Sequence, residues 1–152
     1  MDTTALAEAL DQIEDHAVVH HGYTDYQRDY EVVVHMTADP RTGIPPAHLR
    51  YLFRYCVAAH CETGLFPWLW QKSLDDRLID HETADGLDGW VWGTKWANLD
   101  KARVLPESDA TRRWAGELGI DFHAVRIETQ VHDLSLVFSE LEITELPADW
   151  QK

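Results

Sequence analysis

A chain of 152 residues is long enough for one domain with a shared hydrophobic core, so neither disulfides nor a structural metal is needed to stabilise it. Its 45% hydrophobic content, with seven Trp, five Tyr and four Phe, excludes a disordered chain, which lacks the aromatic area to offset its ordering entropy. Thirteen basic against 27 acidic residues leave a formal charge of −14, which repels phosphate, so nucleic acid is not expected as a partner.

No apolar run approaches the roughly 20 residues of a spanning helix, and Met1 to Leu10 carries acids where a secretory signal would carry bases. A cytoplasmic protein without membrane association is expected. Cys56 and Cys61 are five residues apart, on opposite faces if they share one strand, so two free thiols are expected.

Leu6, Leu10 and Ile13 at helical spacing predict a helix over about residues 4–14, with Thr3 or Thr4 as N-cap. Val18 and Val19 then enter the sheet. From Tyr26 to Met36, Tyr26, Tyr30, Val32, Val34 and Met36 share one face of a half-buried strand. Asp39-Pro40-Arg41-Thr42-Gly43 predicts a turn. Leu49, Tyr51, Phe53, Tyr55, Val57 and Ala59 alternate as a strand, although Leu49, Leu52, Phe53, Cys56 and Val57 also fit a helix. The strand is preferred because it places three aromatics on one face and gives the preceding strand an antiparallel neighbour.

Gly64 to Glu82 reads as a loop and a short helix opening at Pro67, with Trp68, Leu69, Trp70 and Leu74 as its apolar residues. Trp90, Trp92 and Trp96 at alternate positions predict a strand over residues 87–96, its tryptophans in the core. Ser108 and Gly119 bracket a helix whose apolar stripe is Ala110, Trp114, Ala115 and Leu118. Phe122 to Thr129 and Leu134 to Leu146 complete a hairpin. The second changes apolar parity between Phe138 and Leu141, which predicts a β-bulge near Ser139 or burial on both faces. The expected fold is a single α+β domain over residues 1–152, an antiparallel sheet of five or six strands with two or three helices packed on one face.

The strings His21-Gly22-Tyr23-Thr24-Asp25-Tyr26, Arg28-Asp29-Tyr30-Glu31, Asp39-Pro40-Arg41-Thr42-Gly43-Ile44-Pro45 and His48-Leu49-Arg50-Tyr51 resemble those of bacterial YxiG-like proteins. So do Gly89-Trp90-Val91-Trp92-Gly93 through Trp96, Phe122-His123 through Ile127-Glu128-Thr129, and Leu136-Val137-Phe138-Ser139, and the similarity runs from about residue 16 to 146. That family carries no assigned activity, cofactor or catalytic residue. The resemblance implies a small cytoplasmic bacterial protein, with an accessory or immunity protein of a toxin system as the role it suggests.

The residues themselves offer few catalytic patterns. His16, His20, His21 and His35 lie near Asp15, Asp25 and Asp29 without any recurrent metal-ligand spacing, so these histidines are expected to be solvated or hydrogen-bonded and no metal or cofactor is expected. Arg54, Cys56 and His60 would share a face of one strand, the sharpest suggestion of a thiol enzyme, but an inert buried thiol is the expected state of Cys56. Asp75, Asp76, Asp80, Glu82, Asp85 and Asp88 fail the calcium-loop pattern and read as a solvated or partner-facing surface, together with Glu140, Glu142 and Glu145. The expected function is therefore a non-enzymatic protein-binding module for a basic partner, such as an immunity protein against a toxin domain. A metal-binding protein or thiol enzyme using Cys56 and His60, and a structural subunit of a larger assembly, are the alternatives.

Overall fold

The computed structural model describes residues 1–36, 41, 43 and 45–152. The turn expected at Asp39-Pro40-Arg41-Thr42-Gly43 falls outside these apart from Arg41 and Gly43. Eight strands form one antiparallel ladder: β1 (Ala17–Tyr23), β2 (Tyr30–Met36), β3 (Ala47–Arg54), β4 (Ala58–Thr63), β5 (Ala97–Val104), β6 (His123–Thr129), β7 (His132–Phe138) and β8 (Glu140–Glu145). Their order is β4-β7-β6-β5-β1-β2-β3-β8. The count corrects the expected five or six, because the two longest segments each bend and serve twice.

Those bends close the ladder. Its two ends, β4 and β8, continue β3 and β7, so residues 47–63 and 132–145 run as one bent antiparallel ribbon joining the ends of the order. Strands that change sheet by bending are a known way of turning a corner. The chain turns at Tyr55, in the left-handed region at φ +52°, and at Ser139 opposite it. Every backbone N–H lost from the ladder there finds an acceptor, as buried amides require. Tyr55 donates to Asp29 Oδ1 at 3.0 Å, Cys56 to the Arg28 carbonyl at 3.0 Å, Val57 to that of Val137 at 2.9 Å and Ser139 to that of Arg54 at 3.0 Å. The parity change expected near Ser139 is this bend.

Side chains from all eight strands fill the space the ladder encloses, among them Val18, Val32, Val34, Tyr51, Leu99, Val125, Ile127, Leu134, Leu136 and Leu141, with β4 adding only the half-buried Ala59. Phe53 and Phe138 meet edge to face at its centre, 4.8 Å between ring centroids, directly inside the two bends. Helix α1 (Thr3–Asp11) adds Leu6 and Leu10, with Ile13 just beyond it, all fully buried. Each such side chain contributes about 1.5–3 kcal/mol by leaving water. The N-cap is Asp2, accepting from the Ala5 N–H at 2.8 Å, rather than Thr3 or Thr4.

Two bulges set which residues face inward. In β1 the register shifts between Val18 and His20, and in β5 between Leu99 and Lys101. The second breaks the alternation of Leu99 and Ala102, so β5 carries no period-two signal for sequence reading to find. The strand expected over residues 87–96 is not one. There the amides of Trp90 and Trp92 donate to the carbonyls of Lys72 (3.2 Å) and Leu78 (2.8 Å), so the segment is extended against its own loop and not in the ladder. Strand β2 begins at Tyr30 rather than Tyr26, after a tight loop closed by Thr24 N–H donating to the Asp29 carbonyl at 2.9 Å.

Helix α2 (Pro67–Gln71) has Pro67 in its first turn and no buried residue. Helix α3 (Asp109–Leu118) has the expected caps, Ser108 in a capping box and Gly119 left-handed at φ +69°. Its expected apolar stripe is half-buried at best, with Leu118 exposed and Thr111 as its buried residue. The helices therefore do not form a layer on one face of the sheet: α1 packs against the core through β5, α2 belongs to a surface loop, and α3 links β5 to β6. No helix among the described residues is long and apolar enough to cross a membrane.

Asp29 is buried and ties three parts of the corner together, with Arg28 gripping its carboxylate at 2.8 and 2.9 Å while Tyr55 donates to it. The Arg28 guanidinium holds the Asp29 carboxyl below the usual carboxylate range. A depressed carboxyl stabilises the fold above the unfolded value of about 3.9 and loses that contribution as pH falls through its own lower pKa. Asp29→Asn is expected to cost on the order of 2 kcal/mol in urea unfolding at neutral pH. The difference from the parent protein should narrow below about pH 4.

Candidate functional site: an acidic lid over a tryptophan and histidine cleft

Between β4 and β5 lies a segment, residues 64–96, that forms no ladder and closes on itself as a lid. After α2 comes a 3-10 helix (Asp76–Ile79), capped by Asp75, whose carboxylate accepts from the Arg77 N–H. Leu78 and Ala84 are buried inside the lid, apart from the main core. Gly89 lets its two arms touch: a Cβ there would lie 2.4 Å from the Lys72 carbonyl oxygen and 2.8 Å from a Leu78 methyl. Trp70 anchors the lid to the sheet by donating its indole N–H to Thr63 Oγ1 at 2.8 Å, and within the lid it packs on Trp92, 5.0 Å between centroids.

The lid has two distinct surfaces. Its outer surface carries Phe66, Trp68, Leu74 and Ile79, each between 60 and 65% exposed. These apolar side chains are interleaved with Asp75, Asp76, Asp80, Glu82, Asp85 and Asp88, all exposed as their sequence suggested. Asp75 is engaged by Arg77, which grips its carboxylate at 2.7 and 3.1 Å and holds it down to about 2. Asp80 accepts from the Glu82 N–H at 2.7 Å. Asp76, Glu82, Asp85 and Asp88 have no basic partner among the described residues.

Glu140, Glu142 and Glu145 lie elsewhere, on β8. Glu140 is 3.4 Å from the Met1 amino group and Glu142 3.2 Å from Arg54. The sheet does not draw them into the lid, because β8 pairs with β3 and no element of the lid does.

The inner surface covers a cleft of about 260 Å³, walled by Trp90, Trp92 and Trp96 from the lid and by His20, His21 and His132 from the sheet. Trp96, expected in the core, is 54% exposed, and Trp90 and Trp92 are half-buried. The reason is that they extend from a segment outside the ladder, so their faces meet the cleft and each other, Trp90 against Trp92 at 6.0 Å. The indole N–H of Trp90 is buried with no acceptor among the described residues. A cleft with aromatic walls and a few convergent polar groups is where small ligands usually bind.

Local structure places each imidazole. The bulge at Val19 lets both Val18 and His21 face inward, against Val34 and Val32 respectively, where an unbroken strand would have turned His21 out. His21 Nδ1 then hydrogen-bonds the Tyr30 hydroxyl at 2.7 Å. Burial, followed by the neighbouring His132 and His20, pushes the His21 pKa below its usual value. His132 opens β7, its N–H donating to Thr129 Oγ1 at 2.9 Å and its carbonyl accepting from that hydroxyl at 3.1 Å. Cys61, on β4, faces the same mouth, and one ligand atom from each of His21, Cys61 and His132 lies within 4.8 Å of the others.

Sequence reasoning missed this trio, since its members come from three strands far apart in the chain. A single strand through this region would have let Arg54, Cys56 and His60 share a face. They do not, because the bend at Tyr55 interrupts the alternation. Cys56 is buried, donating its thiol to the Ala58 carbonyl at 3.3 Å, and burial pushes that thiol up; His60 is exposed beside Glu62 at 3.7 Å. His20 pairs with Glu31 at 3.4 Å, and His35 packs on His48 at 4.9 Å.

A family model described as YxiG-like protein matches residues 2–152, and no curated protein matches the chain. Gly89→Ala is expected to part the arms of the lid while leaving the sheet intact, because the clash is with backbone and cannot be relieved by a side chain. Near-ultraviolet circular dichroism and tryptophan emission should change, with the far-ultraviolet spectrum retained.

Proposed function

The chain belongs to the YxiG-like protein family, and from that footing we propose that it is a non-enzymatic binding module that captures a basic protein partner on the outer surface of the lid. An immunity protein that blocks a basic toxin domain is the form of this reading that fits the net charge of −14. The observation that carries it is the exposure of Phe66, Trp68, Leu74 and Ile79 within one acidic segment.

Large apolar side chains held at about 60% exposure or more forfeit the stabilisation that burial would give them. Such a group rimmed by charge is the usual composition of an interface, with aromatic anchors in the middle and polar residues around them. Asp76, Glu82, Asp85 and Asp88, free of internal ion pairs among the described residues, supply the long-range attraction that speeds encounter and select against acidic surfaces. Asp75 contributes less, being neutralised by Arg77. The acids of β8 are peripheral to this reading.

The test is binding, measured by surface plasmon resonance, to the purified products of the neighbouring genes, with a basic one expected to bind. Trp68→Ala is expected to weaken the complex by about 2 kcal/mol, roughly 30-fold, chiefly through faster dissociation. Asp76→Asn with Asp85→Asn should instead slow association, and high salt should reproduce that effect on the parent protein. No binding at any ionic strength, or binding indifferent to Trp68, would count against the lid as the docking surface.

A further inference from the structure

We propose that His21, Cys61 and His132 hold a single zinc ion at the mouth of the sheet, with its open coordination position facing the tryptophan cleft. This is independent of the partner reading above, since none of the three residues lies on the outer surface of the lid.

Two imidazoles and a thiolate are the donor set that zinc prefers, and three protein ligands with a vacant fourth position is the usual arrangement of a zinc that meets a small molecule. Donor atoms around tetrahedral zinc stand about 3.4–3.7 Å apart, so a trio within 4.8 Å closes on the ion by side-chain movements of about 1 Å. The three strands that supply them are not neighbours all round: β1 is separated from β7 by β5 and β6, so the trio meets across the mouth. Because the ladder is closed, that distance is fixed by the fold and not by a flexible loop.

The supporting contacts are those of a built site. Tyr30 occupies Nδ1 of His21 and leaves Nε2 for an ion, and hydrogen bonding of the second ring nitrogen is the usual way a ligating histidine is oriented. Thr129 fixes the backbone of His132 at the turn. Glu62 and Asp133, register partners across β4 and β7, alternate to the other face of those strands, where Arg126 engages Asp133 at 3.1 Å, so the site rests on its three ligands and not on added carboxylates. On binding, the Cys61 S–H bond breaks, its proton passes to solvent and the sulfur lone pair forms the S–Zn bond, with no change of oxidation state. Magnesium and calcium, which demand about six oxygen donors, find none of that geometry here. His21 and His132 also wall the cleft, so a molecule seated against Trp90 and Trp92 would reach the open position of the ion.

The experiment uses tag-free, metal-stripped protein titrated with zinc chloride in competition with a chromophoric chelator. One zinc per chain is expected. Cys61→Ser and His132→Gln should each weaken binding at least about 100-fold and Tyr30→Phe about tenfold, as loss of a ligand and of its orienting group do. His60→Ala should change nothing, because His60 points away from the trio beside Glu62. Folding of each variant is checked by its metal-free thermal melt, and a second readout needs no variant at all. In the parent protein, alkylation of exposed Cys61 by iodoacetamide, followed by mass spectrometry, should be blocked by zinc and unaffected by magnesium, while buried Cys56 stays unlabelled throughout. Cys61 labelling at the same rate in saturating zinc, or zinc affinity that falls with His60→Ala but not with Cys61→Ser, would overturn the proposal.

Discussion

Two stretches of chain must bend in step for this ladder to close, and most of the molecule's other features follow from how that is achieved. Residues 47–63 turn at Tyr55 and residues 132–145 turn at Ser139, and the amides released by the two turns are each given an acceptor. Asp29 is central, because it accepts from Tyr55 while gripped by Arg28, whose guanidinium also lies 4.7 Å over the Tyr55 ring. Phe53 and Phe138 fill the inside of the corner, so polar satisfaction outside and aromatic packing inside hold one geometry. Closure confines the free edges to β4 and β8, which each pair on one side only and are short, as edge strands that avoid pairing with other chains usually are.

A closed ladder brings strands from opposite sides face to face, and the bulges decide what they present. At Val19 the extra residue rotates His21 inward, where Tyr30 receives it. At Asp100 the shift keeps both Leu99 and Ala102 in the core although their spacing is odd. In each case one residue of irregularity exchanges local regularity for a specific side-chain direction.

The lid extends the same economy to function. Its tryptophans divide between anchoring, as Trp70 does on Thr63, walling the cleft, as Trp90 and Trp92 do, and standing exposed, as Trp68 does. One loop therefore carries an acidic, aromatic exterior and an aromatic, imidazole-rich interior. The two surfaces share the Gly89 crossing, where the absence of a Cβ permits the arms to meet.

What the sequence determined by itself was whatever a few neighbouring residues decide together. The helix from Ser108 to Gly119 was legible because a hydroxyl cap and a left-handed glycine act on adjacent backbone groups, and the strands around Val32, Tyr51 and Ile127 because alternation registers burial within a handful of positions. The exposure of the acids from Asp75 to Asp88 was legible from their density alone. Strand β5 was not, since its bulge erases the period, and the tryptophan run misled because extended chain alternates whether or not a neighbouring strand pairs with it. Only the tertiary structure could decide that the ladder closes, and hence that His21, Cys61 and His132 meet. Their proximity depends on pairings between segments distant in the chain, and no local period, cap or spacing encodes those pairings.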